Sequence, residues 1–337
     1  MADGRSPRRR RFPALRALLA AFVIAEVYFR FGAGLGQPPV AKPDPDIEYL
    51  LKPDAAYRRH GARIAVNAHG MRAADFEARR AADEWRVMLV GDGVVFGGGH
   101  VDARGGLDQD ATVAARLTSL LDARQPACRA VVGAIAAPGW GPVNQLAYVD
   151  RFGLFGADAV VVVASAEDLD DYPTHARANP PLRLQPPYLA VVDAADAAVR
   201  ARLAAAVDAP ATPSLSARRI RARSAAALGR IVAKAQIMGA DASVLFHPGS
   251  DEFAAGASSA FADDARAAFA RAADAQSAPF VDLAGVYEAA VDAPSALYTD
   301  GRLLNEAGAE TMARAIANHL DERRAPDCAG RDIANRL

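Results

Sequence analysis

Short apolar runs alternate with helical patterns over most of the chain from residue 86 onward. The run 86–91 (RVMLVG) is apolar and ends in glycine, and 111–121 then repeats apolar residues at helical spacing. Further strands are predicted at 128–136, 159–164, 243–246 and 280–283, and helices at 143–155, 216–238, 260–275 and 305–323. Runs that are apolar on both faces, such as AVVVVA at 159–164, are typical of parallel strands covered by helices. The pattern predicts an α/β fold, a three-layer, doubly wound, five-stranded parallel sheet.

Two proline-rich stretches interrupt this alternation. The first, 37–53, carries five prolines and is predicted to be an extended connector. The second begins at 169, and we expect 169–215 to be an insertion over one edge of the sheet, with an alanine-rich helix near 194–206. The resulting organisation is a connector and lead-in at 32–84, the α/β domain at 85–325 and a loosely ordered tail at 326–337.

The N-terminus has the charge asymmetry of a membrane signal. Four arginines, Arg8 to Arg11, precede an apolar run at 17–25. We expect a basic cytoplasmic segment at 1–13 and a membrane helix at 14–31 that anchors the domain at the inner membrane, facing the periplasm. Two alternatives stay open: a cleaved or twin-arginine export signal, and an amphipathic helix on the domain with Glu26 and Arg30 facing solvent.

Composition narrows the function classes. The 39 Lys and Arg nearly cancel the 40 Asp and Glu, so nucleic acid is not expected as a partner. The two cysteines, Cys128 and Cys328, lack the spacing of a zinc site, and a disulfide between them stays open. We predict no metal and no cofactor.

Two blocks carry a family resemblance. The residues VNAHGMR at 66–72 and RVMLVGDGVVFGGG at 86–99 resemble the lead-in and first block of the SGNH, or GDSL-like, hydrolases. The likeness is strongest to membrane-anchored bacterial members associated with cell-surface polysaccharides, and it extends over nearly the whole chain. It implies a flavodoxin-like sheet with a site beyond the carboxyl ends of the strands.

Active members of that family use a serine nucleophile, a histidine base three residues after an aspartate, and glycine and asparagine as oxyanion donors. By this resemblance the serine position is Gly93, which has no attacking atom, and the histidine position is Leu303, which cannot accept a proton. The remaining positions are the retained Asp300, Glu167 in place of asparagine, and Ala136 in place of glycine, with Gly139 as an alternative placement.

Other side chains at the strand ends could replace the missing groups. We expect the carboxylates to gather at one edge, where they bind a cation, act as an acid/base pair or simply cap helices. His100 and His247 are alternatives between catalytic and structural loop histidines, Ser165 between displaced nucleophile and backbone-bonding serine, and Trp140 between sugar platform and packing. The candidate pocket comprises Asp92, Gly93, Gly139, Trp140, Glu167, Asp168, His247 and Asp300.

Three hypotheses follow. The leading one, whose setting rests on the resemblance, is a catalytically degenerate protein that binds or scaffolds in cell-envelope or exopolysaccharide assembly, with a polysaccharide or acylated glycan and envelope-assembly proteins as partners. The second is an esterase or O-acyltransferase on acylated glycans that uses Asp300 with His247 or His100. The third is a structural envelope protein, with a filled cleft around Gly93.

Overall fold

The computed structural model describes residues 11–38, 40–98, 106–173, 187–196, 215–253, 259–323 and 328. It begins with helix α1 (Arg11–Val27), which runs into a π-helical turn at Tyr28–Gly32. Apolar side chains on α1 such as Leu18 and Ile24 are exposed. Within these ranges, no helix combines the length and the apolarity that crossing a membrane requires.

The end of α1 is fastened to the domain through Glu26. Its carboxylate accepts hydrogen bonds from the amides of Ala190 and Val191, each at 3.0 Å, and it pairs with Arg30. This carboxylate therefore caps the N-terminus of a helical segment of the domain, and the choice between a membrane anchor and an amphipathic helix on the domain stays a prediction.

One β-hairpin lies within 37–53, the stretch expected to be an extended connector, and a second follows it in the lead-in. Strand β1 (Ala41–Asp44) pairs antiparallel with β2 (Glu48–Leu51), and β3 (Ala55–Arg59) pairs with β4 (Ala62–Val66). Each pair is a separate two-stranded sheet, so β1 is an edge strand and tolerates Pro43, which has no amide hydrogen to donate. The prolines at 37–53 therefore led to a wrong prediction, because this stretch contains a hairpin.

The main sheet has five parallel strands: β5 (Glu84–Gly91), β6 (Arg129–Ala136), β7 (Ala159–Ala164), β8 (Asp241–Phe246) and β9 (Phe280–Asp282). They lie in the order β6-β5-β7-β8-β9, which is the flavodoxin-like order 2-1-3-4-5. Every residue of β5 and β7 is buried. The predicted α/β class and five-stranded doubly wound sheet are confirmed.

Helices cover both faces of this sheet. Those described are α2 (Gly93–Phe96), α3 (Val113–Arg124), α4 (Pro142–Phe152), α5 at 190–196, α6 (Ala217–Ile237), α7 (Ala260–Asp274), α8 (Ala284–Ala290) and α9 (Glu306–Glu322). Helix α3 packs against α9, while α6 packs against both α4 and α7, which makes two helical layers. The helix predicted at 194–206 begins at 190, and its remainder lies outside the described residues.

A disulfide joins the chain beyond α9 to the sheet. Cys128, just before β6, is bonded to Cys328, with the Cα atoms 5.4 Å apart and a sequence separation of 200. The sequence left this pairing open, and the structure contains it. The bond secures one residue of the segment that was expected to be a loose tail.

Candidate functional site

The lead-in motif holds the loop that follows β5. Asn67 accepts hydrogen bonds from the amide of Met71 at 3.0 Å and turns the chain so that Arg72 points inward. The fully buried guanidinium of Arg72 donates to the carbonyls of Phe96 at 3.0 Å and Gly97 at 3.2 Å. Burial lowers the pKa of Arg72 to about 10, so it remains charged at neutral pH. Arg72 is a positioning residue for the end of α2.

Asp92 joins β5 to α2. One carboxylate oxygen, Oδ1, accepts the amide of Val94 at 2.8 Å and caps the short helix. The other, Oδ2, is buried without a hydrogen-bond partner in the described structure and lies 3.4 Å from Nη1 of Arg302. Gly93 opens the helix directly after Asp92 and is buried, so the position that the resemblance gives to the nucleophile offers only backbone.

Asp168 lies beyond the end of β7 and is almost fully buried. Its Oδ2 accepts the amide of Ser165 at 2.6 Å and the hydroxyl of Ser165 at 3.0 Å. Burial, together with the neighbouring carboxylates of Asp92 and Asp171, raises the pKa of Asp168 well above its usual range. The Ser165 hydroxyl donates to this carboxyl group and is held by it, rather than by an imidazole.

Asp171 adds a third carboxyl group to the same cluster. Burial raises its pKa to about 7, with Asp92 adding to the effect and Arg302 opposing it. A Cβ atom placed on Gly141 would lie only 2.5 Å from the carbonyl oxygen of Asp171. The segment that carries Asp171 therefore packs directly against the start of α4, and only glycine permits this approach.

Arg302 supplies the positive charge among these acids. Burial by itself lowers the pKa of its guanidinium, but Asp92, Asp168 and Glu167 outweigh that effect, and the net pKa is raised. Arg302 and Asp171 were both missed by the sequence reasoning. The sequence contained a signal for Arg302. A predicted group of carboxylates needs a cation, and Arg302 lies between Asp300 and Leu303, two positions already considered.

The residues that follow β8 and precede α9 are engaged in loop structure. The buried ring of His247 has Nδ1 3.0 Å from the hydroxyl of Tyr287 and Nε2 2.8 Å from the carbonyl oxygen of Arg302. Burial lowers the pKa of His247 to about 4, so the ring is neutral at pH 7. Asp300 accepts the amides of Arg302 at 2.9 Å and Leu303 at 2.7 Å, and its carboxylate is thus used by its own turn.

Trp140 is a packing residue rather than a side chain at a rim. It is 3% exposed, and its ring centroid lies 5.9 Å from that of Tyr49 and 5.8 Å from that of Tyr148. The hydroxyl of Tyr49 donates to the carbonyl of Pro138, which brings hairpin β1–β2 over this part of the sheet edge. A sugar ring therefore has no access to the face of Trp140, and Gly139 beside it makes the turn with φ 75°.

The structure thus brings together only part of the predicted set. Asp92, Glu167 and Asp168 surround Arg302, whereas Asp300 serves its own loop and Ala136 is buried at the end of β6. His100 lies outside the described residues. Gly93 lines neither the cavity between hairpin β1–β2 and α4, described below, nor a second cavity between α6 and α7. Across the ranges that are described, no three His, Cys, Asp or Glu side chains form a group that could hold a metal ion.

Solved structures similar to this chain include lipases and esterases. They include a lipase/acylhydrolase from Enterococcus faecalis (12% identity, 72% of this chain and 97% of that chain, TM-score 0.45). A catalytic mutant of an acetylxylan esterase from Geobacillus stearothermophilus matches at 16% identity, 69% and 92% coverage, and TM-score 0.45. A GDSL-like lipase from Bacteroides thetaiotaomicron matches at 13% identity, 74% and 93% coverage, and TM-score 0.42. No protein-family model and no curated protein matches the sequence. At these identities and TM-scores the likeness assigns no activity to the chain.

Proposed function

We propose that this SGNH-like chain is a non-hydrolytic component that binds or scaffolds an acylated glycan in cell-envelope or exopolysaccharide assembly. One observation carries the proposal: the positions of the attacking oxygen and its base are the backbone of Gly93 and the aliphatic side chain of Leu303. Acyl transfer to an enzyme nucleophile needs a hydroxyl or thiol, a base in contact with it and a third group that orients the base.

The polar groups around these positions form hydrogen bonds within the protein, which supports the proposal. Ser165 donates to Asp168, and His247 contacts Tyr287 and a backbone carbonyl. In the described part of the chain, no imidazole contacts both Asp300 and a serine or threonine hydroxyl. Glu167 is exposed at the asparagine position, where its carboxylate would repel an oxyanion.

Two features support an extracytoplasmic location at the inner membrane. The Cys128–Cys328 disulfide is of a kind that persists in oxidising compartments such as the bacterial periplasm. Helix α1 begins at the last of four consecutive arginines and exposes apolar side chains, as a signal anchor does. The glycan and the envelope-assembly partners rest on the family resemblance alone.

The test is to incubate the purified full chain with O-acetylated oligosaccharides and to follow both acetate release and binding by NMR. We expect ligand signals to broaden or shift while no acetate appears above the buffer rate. The same oligosaccharide after chemical deacetylation is the matched ligand, and it should bind more weakly if the acyl group is recognised.

Two variants make the outcome decisive. Gly93→Ser combined with Leu303→His restores the missing reacting groups, and a low turnover in that variant alone would agree with the proposal. Acetate release by the native chain that disappears in Ser165→Ala or His247→Gln would instead establish the esterase or acyltransferase alternative.

A further inference from the structure

An apolar cavity of about 570 Å³ lies between hairpin β1–β2 and the C-terminal half of α4. This volume is within the range of roughly 300 to 1,000 Å³ that is common for small-molecule sites. The cavity lies apart from the carboxylate cluster described above. Its walls are formed by both strands of the hairpin, the turn at 68–70, and the aromatic rings of Tyr148, Phe152 and Phe155.

The polar groups of Tyr148 and His69 in these walls are satisfied within the protein. Tyr148 donates its hydroxyl to the carbonyl of His69 at 2.6 Å, so the ring alone faces the cavity. Nε2 of His69 contacts the carbonyl of Phe76 at 2.9 Å, and the imidazole stacks between Phe76 and Phe155 at centroid distances of 4.6 and 4.7 Å. Such a wall offers water few partners and favours an apolar occupant.

The hairpin is held at its tip, which leaves the cavity at its base. Arg151 on α4 forms ion pairs with Asp44 and Asp46 in the turn region. Nδ2 of Asn144 donates to the carbonyl of Ile47 at 2.8 Å. These contacts fix the tip against α4, while the base strands stand over the space beside Phe152.

Two lysines stand at the opening. The chain has three lysines, and two of them, Lys42 and Lys52, line this cavity and are exposed. Lys42 pairs with Leu50, and the amide of Lys52 donates to the carbonyl of Val40, so the two lysines are diagonal neighbours on one face of the hairpin. Neither ammonium has an ion pair with any residue that the structure describes. Two like charges this close favour an anion between them.

We propose that this cavity binds a medium- or long-chain alkyl carboxylate, with the alkyl chain among Tyr148, Phe152 and Phe155 and the carboxylate between Lys42 and Lys52. This is a binding site separate from the carboxylate cluster, and it does not depend on the function proposed above. Apolar walls set the preference for chain length, and the lysines set the preference for charge.

The experiment measures the Kd of hexanoate, octanoate, decanoate and dodecanoate below their micelle concentrations. It uses the purified full chain kept in solution by a non-ionic amphipathic polymer, so that partition into the polymer is common to every variant. We expect Kd to fall about fourfold per added methylene until the cavity is filled. The combined Lys42→Gln and Lys52→Gln variant should raise the Kd of decanoate about tenfold.

Controls separate charge recognition from misfolding. Lys42→Arg with Lys52→Arg should retain binding, and Lys234→Gln, which changes the third lysine, should leave Kd unaltered. Phe152→Ala should weaken decanoate more than hexanoate while circular dichroism stays unchanged. Equal affinity for decanol, decanoate and decyltrimethylammonium, or a Kd independent of chain length, would overturn the proposal.

Discussion

Replacing Asp171 by asparagine tests whether the negative charge of Asp171 lowers the free energy of unfolding. In the folded protein the pKa of Asp171 is raised from 3.8 to about 7, first by burial and then by Asp92. The folded state therefore holds a proton on Asp171 that the unfolded chain releases between pH 4 and 7. Folding stability is lost across that window as pH rises, because the unfolded state binds fewer protons there.

The magnitude follows from the shift itself. At 1.36 kcal/mol for each tenfold change in proton affinity, moving a pKa from 3.8 to about 7 corresponds to about 4 kcal/mol. Asp171→Asn keeps the shape and removes the charge. We expect the variant to be nearly as stable as the parent at pH 4 and up to about 4 kcal/mol more stable at pH 8.

The assay is urea unfolding of the full chain at five pH values from 4 to 8, with the parent and variant compared at each. Asp170→Asn is the matched control, since Asp170 is exposed and pairs with Arg221 at 2.7 Å. That control should change stability by less than about 1 kcal/mol with no rise toward high pH. A stability difference for Asp171→Asn that is flat with pH would refute the reasoning.

Three further substitutions test the framework. Cys328→Ser opens a loop of 200 residues, and thermal unfolding should show a loss of up to about 5 kcal/mol that a reductant reproduces in the parent. Arg302→Gln leaves Asp92 without its cation and should lower stability by about 2 kcal/mol at pH 7 in urea unfolding. Adding Asp92→Asn to this variant should restore most of the lost stability. Arg72→Met should cost at least about 2 kcal/mol in urea unfolding, because several carbonyls lose their donor. Proteolysis of the segment 93–98, which contains α2, should accelerate.

The strands of the main sheet were predictable because their signal is local. Continuous apolar runs such as 159–164 are buried on both faces, and alternating helices dictate parallel pairing. Hairpin β1–β2 was missed because its pairing depends on contacts with α4, such as that between Asn144 and Ile47, which leave no period in the sequence. The prolines at 37–53 led to the prediction of an extended connector, although edge strands also accept proline.

The sequence by itself determined which side chains stand where the family resemblance places the nucleophile and the base: no packing can give Gly93 a hydroxyl or Leu303 an imidazole. Only the tertiary structure decided what the remaining polar groups do. Asp300 caps its own turn, His247 is buried against Tyr287, and Arg302 balances the carboxylates. These roles depend on distances between residues far apart in sequence and on burial, which determines how unfavourable a charge is. Neither quantity can be derived from the order of the residues.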